Sequence, residues 1–362
     1  MLQALGLNQR SLDPQTREWR QRLFWHLNLL DKGFAIIFGR NPTFNRAMQR
    51  QIGVPKLGRL QYIRSHENSS GTPMVFGANF MHQKILLSYL MGDIWHCLYE
   101  EERPNDDSIK SLYKDLLSWY NEAKRLLDAA AVSEKPFCNT KNAKSIDIAL
   151  CAMEFHFLYL SILLTRSSPD MEQEFLQNSK QILNLLPSMS VKAKEPYHQI
   201  IWQLVCCPLT TLLILLCDTV SNSTRSLEEK KENPAAMELF PGYLKDLSQR
   251  DSLARRLEGI ARVFVRHARS AIDFQTAANS SILSPGVQRS AAFSEDPPWS
   301  LYDETLCASV FGSNGDGSIP TVFSMRSDNY DTDIVNDLTA LQSSFDVCGD
   351  RLFDWLTWDT GN

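Results

Sequence analysis

A chain of 362 residues with 43% hydrophobic content is long enough for one large core or two domains. Its net charge of −5 gives no overall attraction to nucleic acid. Its eight cysteines contain no CxxC pair, which excludes a zinc ribbon or a redox dithiol. No basic-then-apolar leader opens the sequence, so an intracellular chain is expected. The first predicted element is a helix from Pro14 to Ile37, with Asp13 as its N-cap and Pro14 where a missing N–H is harmless. Leu23, Leu27, Leu30, Phe34 and Ile37 recur at alternating steps of four and three and predict its buried stripe. Gly39 suits a left-handed C-terminal cap, and Pro42 prevents the helix from resuming.

Residues 43–74 carry Gly53, Pro55, Gly58, Gly71 and Pro73 and predict an irregular connection. Helices are predicted over about 78–101, from Asn105 or Asp106 to about Ala130, over 145–165 and over 170–186. Ile200–Cys217 carries no charge and reaches the lower length limit of a membrane span. Gln203, Pro208, Thr210 and Thr211 interrupt it, so a buried helix kinked at Pro208 is expected, with no membrane contact. Residues 221–236, closed by Pro234, read as a polar loop. A helix over 244–273 then places Leu253, Leu257, Ile260, Phe264 and Ala271 inside. Its Arg255, Arg262, Arg266 and Arg269 share another side. They form either a face for an acidic partner or phosphate backbone, or a solvated surface with local pairs to Asp251 and Glu258.

From Ser284 the composition changes. Residues 284–327, with Pro285-Gly286, Pro297-Pro298 and the glycine-rich 312–318, read as a flexible linker. Residues 328–362 hold eight Asp against one basic residue, Arg351, a net −7, so the remainder of the chain carries +2. Phe345, Phe353, Trp355, Leu356 and Trp358 stand among these carboxylates. Acidic groups keep such a segment solvated while aromatics anchor it in a partner's groove, which is the composition of an acidic activation segment. A terminal helix docked on its own core is the other reading. No stretch alternates long enough to predict a sheet, so the fold class is all-α: a multi-helix bundle or irregular helical array with a flexible acidic C-terminal tail.

The wording of the first helix is more specific than its periodicity. Gly6-Leu7, Glu18, Arg20, Arg22, Phe24-Trp25, Leu30-Asp31, Gly39-Arg40 and Pro42, followed by Ile52 and Pro55, resemble the end of the regulatory middle region of fungal-specific transcription factors. Departures are Gln21 within an arginine triplet, Asn41 beside the first proline and Gln51 at a commonly acidic place. The matching words cover about residues 4–55. The resemblance implies a helical regulatory domain over 1–275, acting in the nucleus through transcription machinery or coactivator proteins, with a full-length relative as a possible dimer partner. In that family DNA is read by a two-zinc, six-cysteine cluster. No such cluster occurs here, so zinc is expected only in an upstream domain absent from this sequence, and no direct DNA contact is expected from this chain. The short lead before Gly6 fits either a truncated gene model or a shortened relative.

Enzyme signatures are absent: no HExxH, GxSxG, phosphate loop or dinucleotide GxGxxG. His26 and His156 read as hydrogen-bonded core histidines. Asp31, a lone acid in an apolar helix, is expected to fix packing through Arg20, Arg22 or Arg40. No catalytic or metal-binding residue is assigned. The alternative is a helical metabolic enzyme with an apolar cavity between helices.

Overall fold

The computed structural model describes residues 13–60, 75–100, 104–166, 168–192, 201–220, 225–248 and 252–282. The linker and the acidic segment, with Phe345, Phe353, Trp355, Leu356 and Trp358, lie outside the described residues. Among the described residues every regular element is helical: α1 Pro14–Phe38, α2 Arg46–Ile52, α3 Leu57–Leu60, α4 Phe76–Tyr99, α5 Asp106–Glu134, α6 Thr140–Thr165, α7 Glu172–Lys192, α8 Ile201–Val220, α9 Leu227–Ser248 and α10 Ser252–Ile282. The all-α expectation holds. The chain divides into two compact units, 1–204 and 205–362.

In the first unit, α4 packs on α1, α3 and α5, and α6 packs on α5 and α7. Asparagines cap several of these helices as their sequences direct: Asn45 opens α2, Asn105 opens α5 and Asn139 opens α6, each side chain accepting an amide of the first turn. Helix α4 has no such cap of its own. Glu134, at the end of α5, supplies it from a distance, accepting from the amides of Val75 (2.6 Å) and Phe76 (2.8 Å). One helix in the described residues is long and apolar enough to cross a membrane, and it is α6; 78% of its apolar window is buried inside the fold. Its Phe155, Leu158, Leu160 and Leu164 fill the core.

In the second unit, α9 and α10 pack on each other. Asn233 of α9 ties α8 in, donating to Asp218 (2.7 Å) and Thr219 (3.1 Å), while Gln275 of α10 donates to the Thr219 carbonyl (3.3 Å). Arg225 completes the Asp218 pair at 2.6 Å. Pro208 lies inside α8, as expected.

Three expectations are corrected. The polar loop over 221–236 is instead largely α9, which continues through Pro234 and Pro241. Both prolines are buried in line with Met237, Phe240 and Leu244, so the apolar stripe at steps of three and four outweighs the two lost amides. The helix expected from 244 begins at Ser252, and Leu244 lies inside α9, which ends at Ser248. The third concerns α1. Its cap, proline and αL glycine are where the sequence put them: Asp13 accepts from Thr16 at 2.9 Å, and Gly39 has φ 61°. Its buried face is not Leu23, Leu27, Leu30, Phe34 and Ile37, among which Leu30 is 50% exposed. Phe24, Trp25, Asn28, Asp31, Lys32, Ala35 and Ile36 turn inward instead. Of the predicted stripe, Leu27 packs against the edge of the core cluster, Leu23, Phe34 and Ile37 are half-buried and Leu30 is exposed; Asn28, Asp31 and Lys32 take the inner positions because neighbouring backbone and side chains satisfy them.

Candidate functional site

The inward face of α1 grips the chain that returns over residues 41–53. Asp31 and Lys32, adjacent in sequence, both reach the peptide groups of Phe44. The Phe44 amide donates to Asp31 Oδ2 at 2.9 Å, and Lys32 Nζ donates to the Phe44 carbonyl at 2.6 Å. Asp31 and Lys32 are 6% and 3% exposed, so these bonds replace water that burial has removed. Burial lowers the Lys32 pKa from its ordinary value, and the adjacent Asp31 carboxylate opposes that shift. Of the three arginines considered for Asp31, Arg40 is the one described in contact: its guanidinium donates to Asp31 Oδ1 at 3.3 Å and to the Asn41 carbonyl at 3.4 Å. Gly39 makes this possible by reversing the chain immediately before Arg40.

One turn earlier, Asn28 donates to Ser88 of α4 at 2.9 Å and accepts from Gln49 of α2 at 3.0 Å. Ser88 in turn donates to the Ile85 carbonyl. Earlier still, Trp25 Nε1 donates to the Gly53 carbonyl at 3.0 Å, and Gln21 donates to the carbonyls of Ile52 (2.9 Å) and Gly53 (3.0 Å). These two side chains serve the orphan acceptors at the end of α2. Between the polar rows lies an aromatic cluster. The Phe24 ring meets Trp25 and Phe44 edge-on, each with centroids 5.2 Å apart, and Trp25 lies 5.4 Å from Tyr89. Arg46 pairs with Asp93 and lies over the Tyr89 ring at 5.7 Å, fastening α2 to α4.

The remaining motif residues are peripheral. Glu18 and Arg22 form an i,i+4 ion pair, Arg20 and Pro42 are half-buried, and Gly39 and Arg40 are exposed. Gln21, a departure from the family wording, has a defined task here. Gln21→Ala is expected to lower stability by ~1–2 kcal/mol, read by urea unfolding, since two partly buried carbonyls lose a donor. An unchanged midpoint would remove that task. Sequence reading passed over Asn28, Lys32, Gln49 and Ser88. The signal was present, since Gln21, Asn28, Asp31 and Lys32 share helical spacing with Phe24 and Trp25.

This arrangement is a scaffold whose described polar atoms are committed to backbone and to one another. A recess of about 170 Å³ lies elsewhere, beside α5 and α6, lined in part by Tyr120, Asp128, Asp147 and Glu154. Asp128 and Asp147 are paired there with Lys124 and Lys135. Its volume falls below the usual range for small-molecule sites. Among the described residues no cluster of three His, Cys, Asp or Glu could hold a metal. His156 is a hydrogen-bonded core histidine, donating to the Ala152 carbonyl at 2.5 Å, whereas His26 is exposed, its ring bonded to the Arg22 carbonyl. On α10, Arg255, Arg262, Arg266 and Arg269 are all exposed on one side. Arg262 pairs with Glu258 (2.8 Å), Arg269 with Glu238 of α9 (2.9 Å), and Arg255 donates to the Ser248 carbonyl (3.2 Å).

Comparison with known proteins agrees with the motif. Residues 1–131 match the fungal specific transcription factor domain. Over 280 residues the chain is 35% identical to a transcriptional regulator of Claviceps purpurea (strain 20.1), covering 76% of this chain and 45% of that protein. Over 246 residues it is 24% identical to an uncharacterized transcriptional regulatory protein of Schizosaccharomyces pombe, covering 61% of this chain and 36% of that one. The chain thus spans less than half the length of the curated relatives it matches. No solved structure matches. The domain match covers the α1 motif and its receiving helices, and on that ground the chain belongs to the fungal-specific transcription factor family.

Proposed function

We propose that this chain is the regulatory part of a fungal transcription regulator, acting in the nucleus through protein partners and catalysing no reaction. The observation that carries the reading is the domain match over residues 1–131, which includes a motif whose Asp31, Lys32 and Trp25 are consumed in holding backbone. Groups so committed stabilise a body that presents partners to one another. Under this reading residues 1–275 are the regulatory domain and 284–327 a linker. Residues 328–362 recruit coactivators or the transcription machinery through Phe345, Phe353, Trp355, Leu356 and Trp358. A longer relative is the natural dimer partner, and DNA recognition through zinc is no part of this chain's role.

Fusing residues 328–362 to an unrelated DNA-binding domain is expected to raise a reporter well above the domain alone. Replacing Phe353, Trp355 and Trp358 with Ala in that fusion is expected to abolish the increase. A silent reporter, with the fusion protein detected at normal level, would overturn the assignment of that segment.

A further inference from the structure

The recess of about 170 Å³ is lined by residues of α5 and α6 alone. Tyr120, Lys124 and Asp128 follow one another at steps of four on α5, and Asp147 and Glu154 stand two turns apart on α6, so each helix turns one side to it. Leu127 and Met153 are buried and give it apolar walls. Phe157 holds the Tyr120 ring in a parallel stack, with centroids 4.2 Å apart. Three carboxylates enter this lining against one ammonium. Lys124 pairs with Asp128 at 3.3 Å, and Lys135 reaches Asp147 from outside the lining at 2.5 Å. Glu154 is half-buried, and among the described residues it makes no ion pair or hydrogen bond; the Tyr120 hydroxyl makes no hydrogen bond there either. Burial pushes the Tyr120 pKa up to about 12, and the Glu154 and Asp128 carboxylates add to that shift, so both acids bear on the same phenol.

We propose that this recess receives a lysine side chain from a basic segment of a partner protein. The inference rests on the reading that the chain acts through protein partners, and it names the chemistry that one of them brings. Charge complementarity is the first ground. An incoming ammonium donates to Glu154 and to the Tyr120 hydroxyl, two groups with no described partner, while its four-carbon stem lies along Leu127 and Met153. Size is the second ground. The volume is below that of metabolite sites and admits one extended side chain. Arginine is the poorer fit, because its broad planar guanidinium asks for five acceptors in a fixed fork, whereas lysine presents a compact charge on a flexible stem. A bare metal ion is disfavoured too, since no three His, Cys, Asp or Glu among the described residues converge closely enough to hold one. Lys124 is the ammonium that competes from within this chain. It is exposed and held only by a surface pair to Asp128, so it yields readily.

The test is nuclear magnetic resonance of the methionine methyl groups of the full chain, with Met153 as the reporter in the recess. The probe is a short alanine peptide, capped at both ends, with one central lysine. The Met153 signal is expected to shift saturably with this peptide. The same peptide with norleucine at its centre keeps the stem without the charge and is expected to bind about tenfold more weakly. Glu154→Gln is expected to weaken the lysine peptide about tenfold, and Tyr120→Phe about threefold. Lys124→Met removes the competing ammonium and is expected to tighten binding about threefold, a gain that a damaged fold does not produce. Should Glu154→Gln unfold, that gain decides in its place. A Met153 signal unmoved up to ~10 mM peptide overturns the proposal. So does equal binding of the lysine and norleucine peptides, or 1,4-diaminobutane binding as tightly as the peptide, which would make the occupant a free amine. The reporter fusion of residues 328–362 contains neither α5 nor α6, so its outcome and this one are read separately.

Discussion

Asp31→Ala is expected to lower the unfolding free energy by ~2–4 kcal/mol, which in a unit of this size moves the melting midpoint down by roughly 5–15 °C. Two losses add. The Phe44 amide, buried with its side chain at 3% exposure, is left without an acceptor. Lys32, 3% exposed, keeps its bond to the Phe44 carbonyl but loses the adjacent carboxylate that favours its charged form. The Arg40 contact contributes less, at 3.3 Å with a side chain 44% exposed. Asp31→Asn separates the parts, because the amide oxygen still accepts from Phe44 while the charge is gone. About half the destabilisation is expected from Asn. Urea unfolding of the two variants with the wild type decides it, and midpoints unchanged in both would show that the motif acid does not hold the fold.

The second large effect is a pH dependence centred on His156. Burial pushes its pKa down from 6.5 to about 3, helped by the Lys84 ammonium, while the bond to the Ala152 carbonyl opposes the shift. Lys84 is itself pushed down to about 8 by burial, so at neutral pH it still carries charge toward the imidazole. An imidazole with a folded pKa below its unfolded one binds fewer protons when folded. Its contribution is therefore complete above pH 6.5 and is lost progressively as pH falls from 6.5 toward 3. One proton taken up on unfolding corresponds to a slope of ~1.4 kcal/mol per pH unit, a loss on the order of 5 kcal/mol across the window. Carboxylates titrate in the same range, so the comparison that isolates His156 is His156→Leu. The variant's stability is expected to fall less steeply between pH 6 and 4, by close to that one-proton slope. Parallel curves for variant and wild type would mean that the ring reaches water and charges in the folded state.

Family and fold class were legible because they rest on local chemistry. A cap at Asp13, a proline at the first helical position, an αL glycine at Gly39 and the arginine and aromatic words between them act within a few residues of one another. Helical periodicity in α4 to α7 and α10 follows from the same short-range geometry, and Leu257, Phe264 and Ala271 turned inward as spaced. What periodicity could not supply was the choice between two competent faces of α1. By apolar content alone Leu23, Leu27, Leu30, Phe34 and Ile37 form the better stripe. Asn28, Asp31 and Lys32 are costly to bury unless each finds a partner, and those partners (Phe44, Gln49 and Ser88) lie 12 to 60 residues away in sequence. The prolines of α9 follow the same logic: a local rule marks them as breakers, and the packing of Pro234 and Pro241 beside Phe240 decides otherwise. The sequence by itself determined where helices can form and to which family the first of them belongs. Only the tertiary structure decided which side of that helix is the core, because the sign of a buried polar group's contribution depends on whether a distant partner arrives to satisfy it.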